Sequence, residues 1–133
     1  MKLRRWWWAA LLVLALCAGC QGETRILPGE NSLQVTLQDN AFRPRLWRIN
    51  AGEQISITLD NRDVQAHRWV MMGRPVTPPY DSPDEQAVYW QMDVPAGQQV
   101  SATFSAPQAP GEYEVLCPEH SETMQARVVV VRP

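Results

Sequence analysis

Short runs in which every second residue is apolar dominate the chain, and they leave room for little besides β-strands. Leu33, Val35 and Leu37 alternate with polar neighbours, as do Ile55, Ile57 and Leu59, and later Val100, Ala102 and Phe104. A period of two puts one face of an extended strand in a core and the other in water. Residues 46–49, 69–72, 88–92, 112–116 and 125–131 supply further candidates, and turn signals stand between them at Ala51-Gly52-Glu53, Asp60-Asn61, Ala96-Gly97 and Pro110-Gly111. No amphipathic helical stripe of useful length interrupts them. About eight such strands in roughly 100 residues predict an all-β fold, a Greek-key antiparallel β-sandwich. Residues 73–87 do not fit, because Pro75, Pro78, Pro79 and Pro83 are too many for a central strand. A long loop is expected there, carrying Asp81, Asp84 and Glu85 as a solvated connection, with a docking surface as the alternative.

Ahead of the strands, Lys2, Arg4 and Arg5 precede an apolar run over residues 6–18 that ends in small residues. The run is too short for a membrane-spanning helix and has the make-up of an export signal. Cys17-Ala18-Gly19-Cys20 resembles the bacterial lipoprotein signal, in which two small residues precede an acceptor cysteine, although Cys17 stands where Leu is usual. The expected organisation is a signal peptide over residues 1–19, a lipidated Cys20 opening a polar tether over residues 20–32, and one domain over residues 33–133. Gln21, with no Asp after the acceptor, resembles outer-membrane rather than inner-membrane sorting. The expected location is therefore the bacterial cell envelope, facing the periplasm or the surface.

From Cys20 onward nine Arg face fourteen Asp and Glu, with no Lys, a net charge of −5. A general nucleic-acid binder needs a basic face and is excluded. Cysteine usage is more informative. Of the three Cys, Cys17 leaves with the signal and Cys20 carries lipid, so Cys117 stands alone and no internal disulfide can form. In an oxidising compartment a solitary thiol is either a small buried hydrophobe or a group with chemistry, a metal ligand or a nucleophile.

The residues around it favour the metal. Cys117-Pro118-Glu119-His120-Ser121-Glu122-Thr123-Met124 is a C-x2-H-x3-M run, and the only other histidine, His67, opens the strand that contains Trp69. A strand end followed by a short loop can turn a thiolate, an imidazole and a thioether toward one point. Two His, one Cys and one Met are the donors of a blue-copper centre, a trigonal plane of two imidazoles and a thiolate with a weak axial thioether. Zinc is the competing metal, but thioether is not its usual ligand. A Cys–His nucleophile fares worse, since nothing marks an oxyanion donor or a substrate cleft.

At these residues the sequence resembles the cupredoxins, small exported blue-copper proteins. The likeness extends through Asn40-Ala41-Phe42-Arg43-Pro44, Ile49-Asn50-Ala51-Gly52-Glu53, Leu59-Asp60-Asn61-Arg62-Asp63, Pro95-Ala96-Gly97-Gln98 and Pro110-Gly111-Glu112-Tyr113, about residues 33–131. The resemblance implies His67, Cys117 and His120 as equatorial ligands and Met124 as the axial one. The H-x3-M interval falls between amicyanin-like and plastocyanin-like loops, and Glu122 lies close enough to compete with Met124 as fourth donor. Arg68 departs from the Asn or Ser that many cupredoxins place after the first His, which puts the hydrogen bonding of the sulfur in question.

The function implied is an envelope electron carrier, not an enzyme: one type 1 copper cycling between Cu(I) and Cu(II), partnered by a redox protein such as a cytochrome or oxidase, in a lipid-anchored monomer. Multicopper oxidase, nitrite reductase and binuclear chemistry are excluded within this chain by its two His and single free Cys. The alternative is a copper chaperone or delivery protein for an envelope cuproenzyme, for which Met71, Met72 and Met92 would supply extra thioethers, unless they pack in the core.

Overall fold

The computed structural model describes residues 29–133. The signal segment, Cys20 and most of the expected tether lie outside the described residues. Nine strands follow in order: β1 (Ser32–Gln38), β2 (Ala41–Arg43), β3 (Leu46–Asn50), β4 (Gln54–Asn61), β5 (His67–Met72), β6 (Val88–Val94), β7 (Gln99–Ser105), β8 (Gly111–Leu116) and β9 (Gln125–Val131). They form two sheets, β2-β1-β4-β7 and β3-β9-β8-β5-β6, packed as a sandwich. The alternating residues do as expected: Leu33, Val35, Leu37, Ile55, Ile57 and Leu59 are all buried in one core with Ile49, Val128 and Val130 of the opposite sheet. Each such side chain contributes roughly 1.5–3 kcal/mol by leaving water. Trp69 lies at the centre, fully buried, its ring edge-on to Trp47 and Trp90 at centroid distances of 6.3 and 5.5 Å.

Pairing direction departs from expectation. The sheets are mixed, because β1 runs parallel to β4 with Val35 opposite Leu59, and β3 runs parallel to β9 with Ile49 opposite Val130. After β2 the chain crosses to the second sheet for β3 and returns as β4 running with β1. Alternation fixes which face of a strand is buried and carries no information on the neighbour's direction. Strand β2, three residues long, is too short to show a period. Asp60-Asn61 is not a turn either: β4 runs through Asn61, whose side chain is buried. Among the described residues the chain is already tied to the domain ahead of residue 33, the Gly29 amide donating to Asn50 Oδ1 at 3.1 Å and the Glu30 amide to the Arg48 carbonyl at 2.7 Å.

The proline-rich segment is also more than a solvated connection. The outer face of the second sheet presents Val70, Met72 and Leu116, and the segment folds back over them with Val76, Tyr80, Ala87 and Val88. Its neck is closed by the Gly73 amide donating to the Ala87 carbonyl at 2.6 Å, and a short 3-10 helix, Ser82–Ala87, ends it. This cover explains why Trp69 through Met72 is a continuous apolar run: β5 is buried on both faces.

Candidate metal centre

Strands β5 and β8 are antiparallel neighbours, with Val70 opposite Leu116 and Met71 opposite Val115. The start of β5 therefore lies beside the end of β8, and residues fifty apart in sequence, His67 and Cys117, meet at one end of the sandwich. Leu116 also pairs with Gln125 of β9, so the segment 117–124 is a closed loop on two adjacent strands. Within it Pro118–His120 forms a 3-10 turn, in which the His120 amide donates to the Cys117 carbonyl at 3.0 Å. Side chains three residues apart eclipse in such a turn. That is the physical basis of the C-x2-H spacing. The Met124 amide then donates to the His120 carbonyl at 2.8 Å, and the Cys117 amide to the Met124 carbonyl at 3.1 Å, which folds Met124 back beside Cys117. Both are wholly buried in the same core cluster.

The result is a tight donor group. Cys117 Sγ lies 3.8 Å from His67 Nδ1 and 3.7 Å from His120 Nδ1, and the three donor atoms are within 4.8 Å of one another. A first-row metal with bonds of about 2.0 Å to nitrogen and about 2.3 Å to sulfur, in a trigonal plane, sets nitrogen and sulfur about 3.7 Å apart. The residues thus fit one such ion. With Met124 buried on the same loop, two imidazoles, a thiolate and a thioether are positioned for one type 1 copper. Of the two candidate fourth donors, Glu122 is exposed and Met124 is buried. Met71 and Met72 are buried in the two core clusters and Met92 packs against the larger one, so none is an exposed thioether.

Burial and neighbouring groups set the proton affinity of the thiol. Burial pushes the Cys117 thiol up from 9.0 to about 11; the Arg68 backbone amide opposes this, and the Glu119 carboxylate, which accepts the thiol hydrogen at 3.2 Å, adds to it. The Arg68 side chain itself points outward to Asp93 at 2.6 Å. The Arg68 departure thus concerns a side chain turned away from the sulfur. On the other side of the site His67 Nε2 donates to Asp63 Oδ2 at 2.8 Å. Burial raises the Asp63 carboxyl, but the Asp39 and Asn40 amides and His67 outweigh it and hold it below 3.8.

Two of these supports were not recognisable as functional in the sequence. Asp63 belongs to a segment that resembles the family, yet nothing in it assigns the carboxylate a role, and Ser121 is one of two small polar residues in the ligand loop. Ser121 is buried; its Oγ accepts the Tyr80 amide at 2.9 Å and its carbonyl accepts Gln125 Nε2 at 2.5 Å. The proline-rich segment is thereby fastened to the ligand loop.

Comparison with known proteins agrees with this geometry. A family model described as a cupredoxin-like domain matches residues 8–130. A search of curated protein sequences finds no match. Among solved structures, the dithionite-reduced auracyanin from the photosynthetic bacterium Roseiflexus castenholzii aligns with a TM-score of 0.64 at 21% identity, covering 77% of this chain and 98% of that one. Auracyanin A, a "blue" copper protein from the green thermophilic photosynthetic bacterium Chloroflexus aurantiacus, gives 0.64 at 23% identity, covering 75% and 98%. A proline-to-phenylalanine mutant of amicyanin in its reduced state gives 0.50 at 18% identity, covering 75% and 82%. Sequence pattern, mixed-sheet sandwich, donor cluster and family match converge, and the chain belongs to the cupredoxin-like domain family.

Proposed function

We propose that this protein is a single-copper electron carrier of the bacterial envelope, with His67, Cys117 and His120 as equatorial ligands and Met124 as the axial one. The observation that carries the reading is the pair of 3.8 and 3.7 Å separations around Cys117 Sγ, which match a trigonal plane of two nitrogens and one sulfur. Copper held there would supply a one-electron couple. The residues around it do the rest. The core fixes Cys117 and Met124, the strand fixes His67, and the half-buried His120 is the donor nearest to solvent. A cage held this firmly changes little between oxidation states, which suits a carrier rather than an enzyme. The auracyanins and amicyanin, with the same architecture, support the assignment.

Partner and place belong to the same proposal. A domain with a net charge of −5 beyond residue 19 favours encounter with a basic redox protein such as a cationic cytochrome or an oxidase, at a rate that salt reduces. Cys20 as lipidated N-terminus would hold the monomer at a membrane, outer rather than inner in a two-membrane host, and mass spectrometry of the native protein reads the modification directly. Copper delivery is the weaker reading, because the thioethers that would serve it are packed in the sandwich.

The test is to add Cu(II) to the soluble domain and record visible and paramagnetic spectra. An intense thiolate charge-transfer band is expected, absent in Cys117→Ser and retained with a raised potential in Met124→Leu. A wild-type protein without the band, or a Cys117→Ser protein with it, overturns the assignment. Loss of copper to a Cu(I) chelator during repeated redox cycles would favour delivery over carriage.

A further inference from the structure

The imidazole of His67 has two nitrogens, and only one can face a metal. Its Nδ1 points to Cys117 Sγ at 3.8 Å and its Nε2 to Asp63 Oδ2 at 2.8 Å, with the ring wholly buried and the carboxylate 14% exposed. A carboxylate only accepts hydrogen bonds, so the single proton of a neutral imidazole sits on Nε2 and the lone pair is left on Nδ1.

Asp63 is itself set in place by three separate segments. Its Oδ1 accepts the Asp39 amide at 2.8 Å and its Oδ2 the Asn40 amide at 3.1 Å, both from the turn between β1 and β2. Those two residues adopt φ of 56° and 51°, a left-handed conformation that Asp and Asn tolerate better than most, and it brings consecutive amides to bear on one carboxylate. The Asp63 amide donates to Asn61 Oδ1 at 3.0 Å, and its carbonyl accepts the Gly97 amide at 3.2 Å from the turn between β6 and β7. Asn61, 1% exposed, spends its own Nδ2 on the carbonyls of Gln65, Val94 and Pro95 at 2.9, 3.0 and 3.1 Å. Gln65 Nε2 closes the ring of contacts on Asn40 Oδ1 at 2.7 Å. By contrast, no bond reaches His120 Nε2 among the described residues.

We infer that Asp63 is a positioning residue for the metal site: a pre-set carboxylate that selects the Nδ1 lone pair of His67 and, by making that ring a stronger electron donor, favours Cu(II) over Cu(I). It rests on the copper reading above. A negative charge one imidazole away from the ion stabilises the higher charge state more, and outer partners of this kind change metal affinity by roughly 10–100-fold.

The experiment compares wild type, Asp63→Asn and Gln65→Ala. Gln65→Ala loosens the same turns without touching the carboxylate. In metal-free wild type, at a pH where the ring is neutral, ring-nitrogen NMR is expected to find the single His67 proton on Nε2; a neutral ring with its proton on Nδ1 overturns the inference whatever the variants do, and needs no copper. In the loaded proteins, Asp63→Asn is expected to lose about tenfold or more of the preference for Cu(II) over Cu(I), a rise in potential of about 59 mV per factor of ten. Gln65→Ala should leave the potential where it was. An unchanged potential in Asp63→Asn, or an equal rise in Gln65→Ala, refutes the role. Wild type without a charge-transfer band defeats the copper reading instead, so the two failures are distinguishable.

Discussion

His67 and His120 offer the same ring atom to the same sulfur, at 3.8 and 3.7 Å, yet they are held in different ways. His67 opens a strand that is buried on both faces, and its second nitrogen is bonded to a carboxylate. His120 lies in a loop, half-buried, and backbone turn bonds to Cys117, Thr123 and Met124 are what place it. The centre thus has a half built into the sheet and a half built on a closed loop. The difference teaches where each property comes from: the strand side sets the geometry, and the loop side gives access.

The sharpest way to break the contrast is to remove each ring in turn and supply imidazole from solution. His120→Gly should lose its charge-transfer band and recover it with added imidazole, because the vacated space lies near the surface. His67→Gly should not recover, and should also be less stable by about 1–3 kcal/mol, since a buried ring is lost and Asp63 loses one of its three donors. Visible titration and chemical denaturation read both effects. Equal rescue of the two variants would mean that the strand side is no more closed than the loop side.

A smaller effect is expected in the pH dependence of the metal-free protein. Cys117 holds its proton to about 11 in the fold against 9.0 ordinarily, so the unfolded chain loses that proton first. Stability contributed by the buried thiol is present below pH 9 and falls as pH rises toward 11. At neutral pH the thiol is protonated, and each metal ion bound to it should release one proton, measurable with an indicator dye. Asp63 works with the opposite sign. Its carboxyl lies below 3.8, so its contribution is present above 3.8 and is lost as pH falls through the lowered value. Denaturation curves from acid to alkaline pH should show both edges; a flat alkaline limb would mean that Cys117 is not shielded as its surroundings imply.

The smallest expected change comes from Ser121→Ala, which deletes the acceptor for the Tyr80 amide. A cost of about 1 kcal/mol is expected, as for one hydrogen bond. Ring resonances of His120 should broaden while those of His67 stay sharp. Equal broadening would show that the two halves move together.

Most of the architecture was legible because burial in a sandwich imposes a period of two, and Leu33, Val35, Leu37 and Ile55, Ile57, Leu59 display it without interruption. Parallel pairing was not, since Leu59 beside Val35 looks the same in sequence whichever way β4 runs. The donor group was legible for two reasons. Three of its members lie in one run of eight residues, and the chain has only one other histidine to complete it. Asn61 and Asp63 were visible as part of a family-like segment, but their roles and that of Ser121 were not, because these depend on which backbone groups they meet, and those partners come from turns remote in sequence. Residues 73–87 misled for a different reason. Prolines exclude a central strand, but they do not exclude a cover, and Val76 and Tyr80 are too few to announce an apolar face.

The closed loop over residues 117–124 has a consequence for how such a protein can be altered. Its two ends meet at the Leu116–Gln125 pair, so the strands beneath are complete without it. Exposed positions between those anchors, Glu119, Glu122 and Thr123, can therefore be exchanged at the cost of local turn energetics, whereas Cys117 and Met124 must go on filling the core. Tyr80 is the lateral restraint on such an exchange, because its amide reaches across to Ser121. A transplanted loop that lacks an acceptor at that position would leave a donor facing the apolar cover. Diversification of this centre is thus open at its exposed loop positions and constrained from the core below and from Tyr80 at the side.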